Sequence, residues 1–171
     1  MPWAGWHSKV WRRWTFLLIA AFVVASDQLS KSWIRAHLLP GVTGESSPEF
    51  WHFSIIHIHN TGAAFGLFTN LTFLLTLIAI VGLIVILFFY RYLSPYSILG
   101  TVALGLVFGG ALGNLVDRIS LGYVTDFIRF RFWDDVYWPV FNIADSAITI
   151  GIIVLALFLI LGFKKKDDHT S

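Results

Sequence analysis

Four long hydrophobic stretches divide the sequence, and each is close to the ~20 residues that an α-helix needs to cross a bilayer. They run over about residues 14–33, 71–90, 98–116 and 143–163. The second stretch contains no charged residue, whereas Asp27 and Lys31 interrupt the first and Asp145 lies near the start of the fourth. The pattern predicts a mostly α membrane protein of four transmembrane helices, with residues 1–171 forming a single domain.

Two longer connections, residues 36–70 and 117–142, show a different periodicity. Phe50 to His59 alternates aromatic and β-branched residues with polar ones, and Tyr123 to Phe132 alternates in the same way, which is typical of β-strands. We expect the two runs to pair at the membrane surface. The fold class predicted is therefore four transmembrane helices with a small extracytoplasmic β-rich cradle.

Composition narrows the class of protein further. The chain is 57% hydrophobic and 13% charged, which is far from a soluble globular profile. It contains no cysteine, which excludes disulfides, thiolate metal sites and cysteine nucleophiles. A formal net charge of +2 is too small to indicate a nucleic-acid partner.

The distribution of charge predicts the orientation in the membrane. The two termini and the connection around Arg91 together hold seven basic and two acidic residues, whereas the other side holds five basic and eight acidic residues. Because lysine and arginine concentrate on the cytoplasmic side, we expect both termini in the cytoplasm and connections 36–70 and 117–142 outside.

A cleavable signal peptide is an alternative interpretation of the first stretch. Basic residues precede a short apolar core that ends in Val23-Val24-Ala25 before Ser26, as in a secretory signal. Cleavage there would leave three spans and an external amino terminus. The charge bias does not decide between the two interpretations.

Several polar residues inside or beside the apolar stretches are candidates for function. Asp27 and Lys31 are spaced i,i+4 and form either an anchoring ion pair or a support for a catalytic centre. Asn114, Asp117 and Arg118 share a helical face at the end of the third span, where they form either an interfacial anchor or a polar network. In the same span, Gly105, Gly109 and Gly113 form a small-xxx-small pattern that predicts close helix packing.

Asp126 and Asp145 are the strongest candidates for chemistry. Asp145 follows Asn142 by three residues, so a helix N-cap explains that pair as well as a site does, and Ala144 between them leaves room for a substrate chain. Two carboxylates on the outer side of the membrane nevertheless predict acid/base catalysis, since a buried membrane carboxylate is costly. Asn60-Thr61-Gly62 predicts a turn that either lies on the membrane or contacts substrate.

A metal site is a weaker possibility. His57 and His59 would share one face of the first strand, with His52 nearby, but no HExxH or similar spacing accompanies them.

Taken together, these blocks resemble the lipoprotein signal peptidases, or type II signal peptidases. The resemblance spans nearly the whole chain and is specific only as a set, in this order: Asp27-Gln28-x-x-Lys31, Asn60-x-Gly62-Ala63-Ala64-Phe65, Gly113-Asn114-x-x-Asp117-Arg118, Val124-x-Asp126-Phe127 and Phe141-Asn142-x-Ala144-Asp145. It implies that Asp126 and Asp145 are a catalytic pair. The residues implied to bind substrate or support the site are Asp27, Lys31, Asn60, Gly62, Asn114, Asp117, Arg118, Asn142 and Ala144.

The resemblance also implies an activity and its partners. The protein would be an aspartyl endopeptidase of the bacterial cytoplasmic (inner) membrane that cuts diacylglyceryl-modified prolipoproteins on the amino side of the lipidated cysteine. It would need no metal or other cofactor, would lie among membrane lipids, and would bind globomycin-type cyclic peptide inhibitors. The rival class is a proton- or cation-coupled small transporter, because membrane carboxylates also relay ions.

Overall fold

The four long helices are present, so the predicted helical fold is confirmed. The computed structural model describes residues 4–41, 52–62, 72–93, 97–133 and 136–167. Each helix is long and apolar enough to cross a membrane. The helices are α1 (Ala4–His37), α2 (Thr72–Leu93), α3 (Ile98–Leu121) and α4 (Ile143–Asp167).

Helices α1 and α3 extend beyond the apolar stretches that predicted them. The 34 residues of α1 correspond to ~51 Å of helix, longer than the ~30 Å hydrocarbon core. Helix α3 begins after Ser97, whose side chain accepts a hydrogen bond from the backbone N–H of Gly100. It ends before Gly122, which adopts the left-handed conformation (φ 79°) and donates its N–H to the carbonyl of Arg118. The polar residues predicted to close the third span therefore lie within the helix.

Helix α3 is central because it packs against each of the other three helices. A Cβ on Gly105, Gly109 or Gly113 would lie within 3.2 Å of α1 atoms, so these glycines allow the close approach predicted from their spacing. Gly110 lies against the carbonyl of Ala144 on α4, and a Cβ on Gly110 would overlap that oxygen. The glycines thus position α1 and α4 on two sides of α3.

Helix α1 packs on α3 both before and after Ala25, where the alternative interpretation places cleavage. A Cβ on Gly109 would lie 2.8 Å from the carbonyl oxygen of Ala20, and a Cβ on Gly113 would lie 2.7 Å from the carboxylate of Asp27. The whole segment is therefore part of the helical core, which favours a retained first span over a removed signal peptide.

Three antiparallel strands form a sheet in the order β1-β2-β3, with β1 at Phe53–Asn60, β2 at Val124–Trp133 and β3 at Val136–Tyr137. The predicted pairing of the first two strands is confirmed, although each ends one residue later than predicted. The start of the first predicted strand, residues 50–51, lies outside the described residues. The two-residue strand β3 was not predicted, since two residues show no periodicity.

The segment that follows β3 is attached to β2 by backbone hydrogen bonds. The carbonyl of Phe141 accepts from the N–H groups of Phe127 and Ile128, and the N–H of Phe141 donates to Ile128. The N–H of Trp138 donates to the carbonyl of Phe130. These bonds bring the start of α4 beside the middle of β2.

Candidate active site

Asp126 on β2 and Asp145 on α4 line the same pocket, which has a volume of about 490 Å³. The two residues reach it from different elements, because α4 begins directly after the segment attached to β2. Most of the lining surface is apolar. The pocket is completed by Asn60, Gly62, Arg118, Trp138, Pro139, Val140, Phe141, Ser146, Ile148, Thr149 and Ile150.

The Asp126 carboxylate accepts one hydrogen bond at each oxygen. Asn60 Nδ2 donates to Oδ2 at 2.8 Å, and Asn142 Nδ2 donates to Oδ1 at 2.7 Å. Asn60 pairs with Val124 in the sheet, so Asn60 and Asp126 are diagonal neighbours on one face. The N–H of Gly62 donates to Asn60 Oδ1 at 3.0 Å, which leaves the Asn60 amide nitrogen facing Asp126. Sheet register and turn geometry together hold this contact.

Asp145 and Asn142 form a reciprocal cap at the start of α4. Asn142 Oδ1 accepts from the N–H of Asp145 at 2.9 Å, and Asp145 Oδ2 accepts from the N–H of Asn142 at 3.2 Å. The other oxygen, Asp145 Oδ1, accepts from Asn114 Nδ2 at 2.7 Å. The cap and the site are therefore the same structure: capping holds Asp145 in place and still leaves it on the pocket wall.

Two asparagines connect the carboxylates to each other. Asn142 Nδ2 lies 2.7 Å from Asp126 Oδ1 and 3.2 Å from Asn114 Oδ1, and Asn114 donates in turn to Asp145. Each of the four carboxylate oxygens thus accepts a hydrogen bond. This accounts for how two acidic groups are held together in an apolar setting.

Burial raises the pKa of Asp126 to about 7, and the negative charge of Asp145 adds to the rise. Hydrogen bonds from Asn60 and Asn142 and the positive charge of Lys31 act in the opposite direction but do not cancel it. Asp126 is only 2% exposed, so water does little to stabilise its charged form. A carboxyl with a pKa near neutrality is suited to exchange protons during a reaction.

An ionic cluster lies behind the two asparagines. Lys31 Nζ is 2.8 Å from Asp27 Oδ2 and 3.3 Å from Asp117 Oδ2, and all three side chains are essentially inaccessible. Arg35 lies 3.5 Å from Asp117 at the more exposed edge. Asp117 also accepts from the N–H of Thr125 at 3.0 Å, which fixes the residue preceding Asp126. The cluster therefore contacts residues around the site without lining the pocket.

Ala144 has a different position from the one predicted. Its side chain was expected to leave room for substrate, but the residue is fully buried (0% exposed) and does not line the pocket. Its Cβ lies 3.5 Å from the position of a Cβ on Gly113, and its N–H donates to Asp27 Oδ1 at 3.0 Å. A small residue is needed here because α4 approaches α3 closely.

Gly62 and Arg118 line the pocket. Arg118 interacts electrostatically with Asp145, Asp126 and Asp117. Arg118 is therefore a cation placed beside the pair.

The two histidines of β1, His57 and His59, contact each other with ring centroids 4.9 Å apart, and His52 precedes the strand. His57 is buried, with Nδ1 2.8 Å from the carbonyl of Leu38, and the ring of His59 stacks on Tyr123 at 3.8 Å. The ring of His52 lies 6.0 Å from that of Phe130. Within the part of the chain that the structure describes, no group of three or more His, Cys, Asp or Glu residues is arranged to hold a metal.

Comparison with known proteins gives one consistent result. The sequence model described as Signal peptidase (SPase) II matches residues 19–161. The chain belongs to the signal peptidase II family. It is 45% identical over 146 residues to a lipoprotein signal peptidase from Moorella thermoacetica, which covers 85% of this chain and 93% of that protein. A lipoprotein signal peptidase from Dehalococcoides mccartyi (strain CBDB1) is 43% identical over 160 residues, covering 91% and 95%.

Two solved structures are similar to this member of the signal peptidase II family over most of its chain. A bacterial membrane enzyme solved by the in meso method at 2.3 Å superposes with a TM-score of 0.79 at 37% identity, covering 89% of this chain and 91% of that one. A second, at 1.9 Å, gives a TM-score of 0.73 at 37% identity, covering 85% and 92%. The protein is accordingly a multi-pass membrane protein.

Some residues of this signal peptidase II site received no predicted role, although Gln28 belongs to the first block of the resemblance. Gln28 Nε2 lies within 3.1 Å of Asp27 Oδ2, Asp117 Oδ1 and the carbonyl of Gly113, so it bridges α1 and α3. The signal for it was present, since Gln28 is a polar residue beside Asp27 in an apolar stretch. Ser146 and Thr149 of the pocket carried no signal, because single hydroxyl residues are common in membrane helices.

Proposed function

We propose that this protein is an aspartyl endopeptidase that removes the signal peptide from diacylglyceryl-modified prolipoproteins, cutting on the amino side of the lipidated cysteine. The observation that carries the proposal is the meeting of Asp126 and Asp145 in one pocket of a signal peptidase II family member. Asparagines hydrogen-bond both carboxylates, which supports their acting as one unit.

The electrostatics support a pair that carries one proton. Two close carboxylates in a poorly solvated site do not both ionise readily, and burial together with Asp145 raises the pKa of Asp126 to about 7. The ionised member deprotonates a water molecule as that water attacks the scissile carbonyl carbon. The protonated member donates a hydrogen bond to the carbonyl oxygen.

Collapse of the tetrahedral intermediate completes the cleavage. The C–N bond breaks, and the proton taken from water reaches the departing amine of the lipidated cysteine. The released signal peptide carries the new carboxyl group, which loses its proton to solvent, and the pair returns to its starting state with one proton. Water and the peptide bond of the substrate are consumed, and both aspartates are regenerated.

The shape of the pocket supports a substrate that stays partly in the membrane. Ile148 and Ile150 of α4 line one side, and Trp138 and Pro139 of the connecting segment line another. The pocket therefore continues from the two carboxylates along a membrane helix. Acyl chains and the signal helix remain in the bilayer while the scissile bond meets the aspartates at the rim.

We further propose that the protein lies in the bacterial cytoplasmic membrane with both termini in the cytoplasm. The excess of basic residues at the termini and around Arg91 supports this orientation, since it is the positive-inside distribution. The sheet and the pocket would then face outward, where prolipoproteins emerge. Globomycin-type cyclic peptides would compete for the same pocket.

Incubation of the purified protein with two forms of one precursor tests the activity. A diacylglyceryl-modified prolipoprotein should yield the signal peptide and a product beginning at the lipidated cysteine, whereas the unmodified precursor should remain intact. The Ser120→Ala variant, which changes an exposed hydroxyl whose described hydrogen bond is to its own helix, is the matched control and should cleave normally. Equal cleavage of both precursors, or of neither, would contradict the proposal.

The transporter alternative finds no support in these comparisons, whose proteins are peptidases and membrane enzymes. It has a separate test. Uptake of protons or cations into sealed vesicles that is lost in Asp145→Asn, without precursor cleavage by the parent protein, would favour a transporter.

A further inference from the structure

Lys31 touches the asparagine network as well as the ionic cluster. Its ammonium lies within hydrogen-bond or ion-pair distance of three described acceptors: Asp27 Oδ2 at 2.8 Å, Asn114 Oδ1 at 2.9 Å and Asp117 Oδ2 at 3.3 Å. The residue is 0% exposed. The three N–H groups of the ammonium thus have one partner each, and one of these partners belongs to the residue that bonds Asp145.

The chemistry of lysine determines which way the Asn114 amide points. An ammonium only donates hydrogen bonds, so the Asn114 oxygen must face Lys31 and the amide nitrogen must face Asp145. The reversed amide would set N–H groups against the ammonium and an oxygen against the Asp145 carboxylate. Both contacts would be repulsive.

The hydrogen bonds of Asn142 fix the orientation of its amide as well. The Asn114 oxygen also accepts from Asn142 Nδ2 at 3.2 Å, and the same nitrogen donates to Asp126 Oδ1 at 2.7 Å. The Asn142 oxygen is occupied by the N–H of Asp145. Lys31 and Asn142 thus both donate to the Asn114 oxygen, while Asn114 donates to Asp145 and Asn142 donates to Asp126.

We propose that Lys31 is a positioning residue for catalysis: by fixing the orientation of the Asn114 amide, it keeps hydrogen-bond donors aimed at Asp145 and Asp126. The inference rests on the proposed aspartyl function and extends it, because Lys31 lies outside the pocket and acts through Asn114. The role of Lys31 differs from that of Arg35, because the described contacts of Arg35 are Asp117, Thr125 and Ser32 and do not include Asn114.

The charge of Lys31 provides a readout that loss of packing alone would not change. Its positive charge lowers the pKa of Asp126, against the larger effects of burial and of Asp145. The other described charged groups near the pair are Asp27 and Arg35 on α1 and Asp117 and Arg118 on α3, while His57 and His59 belong to β1, which pairs with the strand of Asp126. Removal of Lys31 should therefore raise the pKa of Asp126 and move the pH–activity profile to higher pH.

The experiment compares Lys31→Met with the parent protein in precursor cleavage across pH. We expect kcat to fall by about 10²-fold, KM to change little, and the profile to move to higher pH. In an Asn114→Ala background, the same substitution should change kcat by no more than about twofold, because its route to the aspartates is already broken. Ser120→Ala, which changes an exposed hydroxyl on α3 that bonds its own helix, is the control and should leave both the kcat and the profile close to those of the parent.

Loss of a buried ammonium leaves Asp27 without its closest partner, so a second variant guards against misfolding. Asp27→Asn/Lys31→Met is charge-balanced and retains an oxygen that accepts from Ala144, and it should show the same fall in kcat as a folded protein. A parent-like kcat and profile in either variant, with Asp126→Asn inactive, would overturn the role of Lys31 alone. An active Asp126→Asn would overturn the aspartyl mechanism and the positioning role together.

Discussion

The carboxylate of Asp27 on α1 accepts a hydrogen bond at 3.0 Å from the backbone N–H of Ala144, in the first turn of α4. The two residues are 117 positions apart in the chain. Free N–H groups and the positive end of the helix dipole make a helix start favourable for a carboxylate. A side chain of the first span therefore caps the helix that carries Asp145, which couples the position of α4 to α1.

Replacement of Asp27 should affect stability more than chemistry. Asp27→Ala removes both the cap of α4 and the nearest partner of Lys31, and breaking a buried ion pair destabilises by about 3–5 kcal/mol. We expect a marked drop in the apparent melting temperature in detergent, with residual precursor cleavage in the folded fraction. Asp27→Asn keeps an oxygen that accepts from the N–H of Ala144. Its apparent melting temperature should lie between those of the parent and Asp27→Ala. Complete inactivity in a normally stable Asp27→Ala protein would instead place Asp27 in direct contact with the reaction.

Replacement of either pocket aspartate should abolish cleavage. Asp126→Asn and Asp145→Asn keep the size of the side chain but remove a group that holds or accepts a proton, so we expect at least a ~10³-fold loss of kcat/KM. The measurement is the rate of signal peptide release in detergent or liposomes, with membrane insertion verified separately. Near-normal processing by either variant would refute the acid/base pair.

The pH dependence of stability should reveal the cost of ionising Asp126 in the fold. Its pKa rises from an ordinary value of 3.8 to about 7, so between these values the folded state binds more protons than the unfolded state. This carboxyl therefore makes the protein less stable as pH rises through that window. Asp126→Asn cannot ionise, and its stability relative to the parent should increase by roughly 2–3 kcal/mol between pH 5 and pH 8.

Unfolding measurements on both proteins at the two pH values test this prediction. The direction in which the stability difference changes with pH is the decisive result. Its size is also affected by the new amide of Asp126→Asn, which would place an N–H group against one of the two donors that now bond the carboxylate. A stability difference that does not vary with pH would mean that Asp126 keeps an ordinary pKa in the fold.

Close packing at Gly110 should be necessary for the position of Asp145. A Cβ at Gly110 would overlap the carbonyl oxygen of Ala144 and lie 2.8 Å from Ile148, so Gly110→Ala must displace α4. Overpacking of this kind destabilises by about 1–3 kcal/mol, and we expect cleavage to fall by at least about 10-fold as well. Gly82→Ala on α2 is the matched control, because nothing lies within 4 Å of that position. Equal behaviour of the two variants in thermal unfolding and cleavage would argue against a packing constraint.

The sequence predicted the elements well because their signals are local. Twenty apolar residues in a row exclude most structures other than a membrane helix, and the alternation over residues 50–59 and 123–132 is typical of half-buried strands. Boundaries were less accurate, as at α3, which continues to Leu121. The hydrogen bonds of the helix continue beyond the last apolar residue, and the helix ends at the left-handed Gly122.

By itself, the sequence determined four spans, two paired strands and the residue types able to perform acid/base chemistry. The tertiary structure decided which of them meet. Only the packing of α1 and α4 on α3 brings Asp27 to Ala144 and Lys31 to Asn114, and only the attachment of Phe141 to β2 brings Asn142 to Asp126. The physical reason is that hydrophobicity and periodicity are read along the chain, whereas hydrogen bonds between α1, α3, β2 and α4 depend on distances that no local pattern encodes.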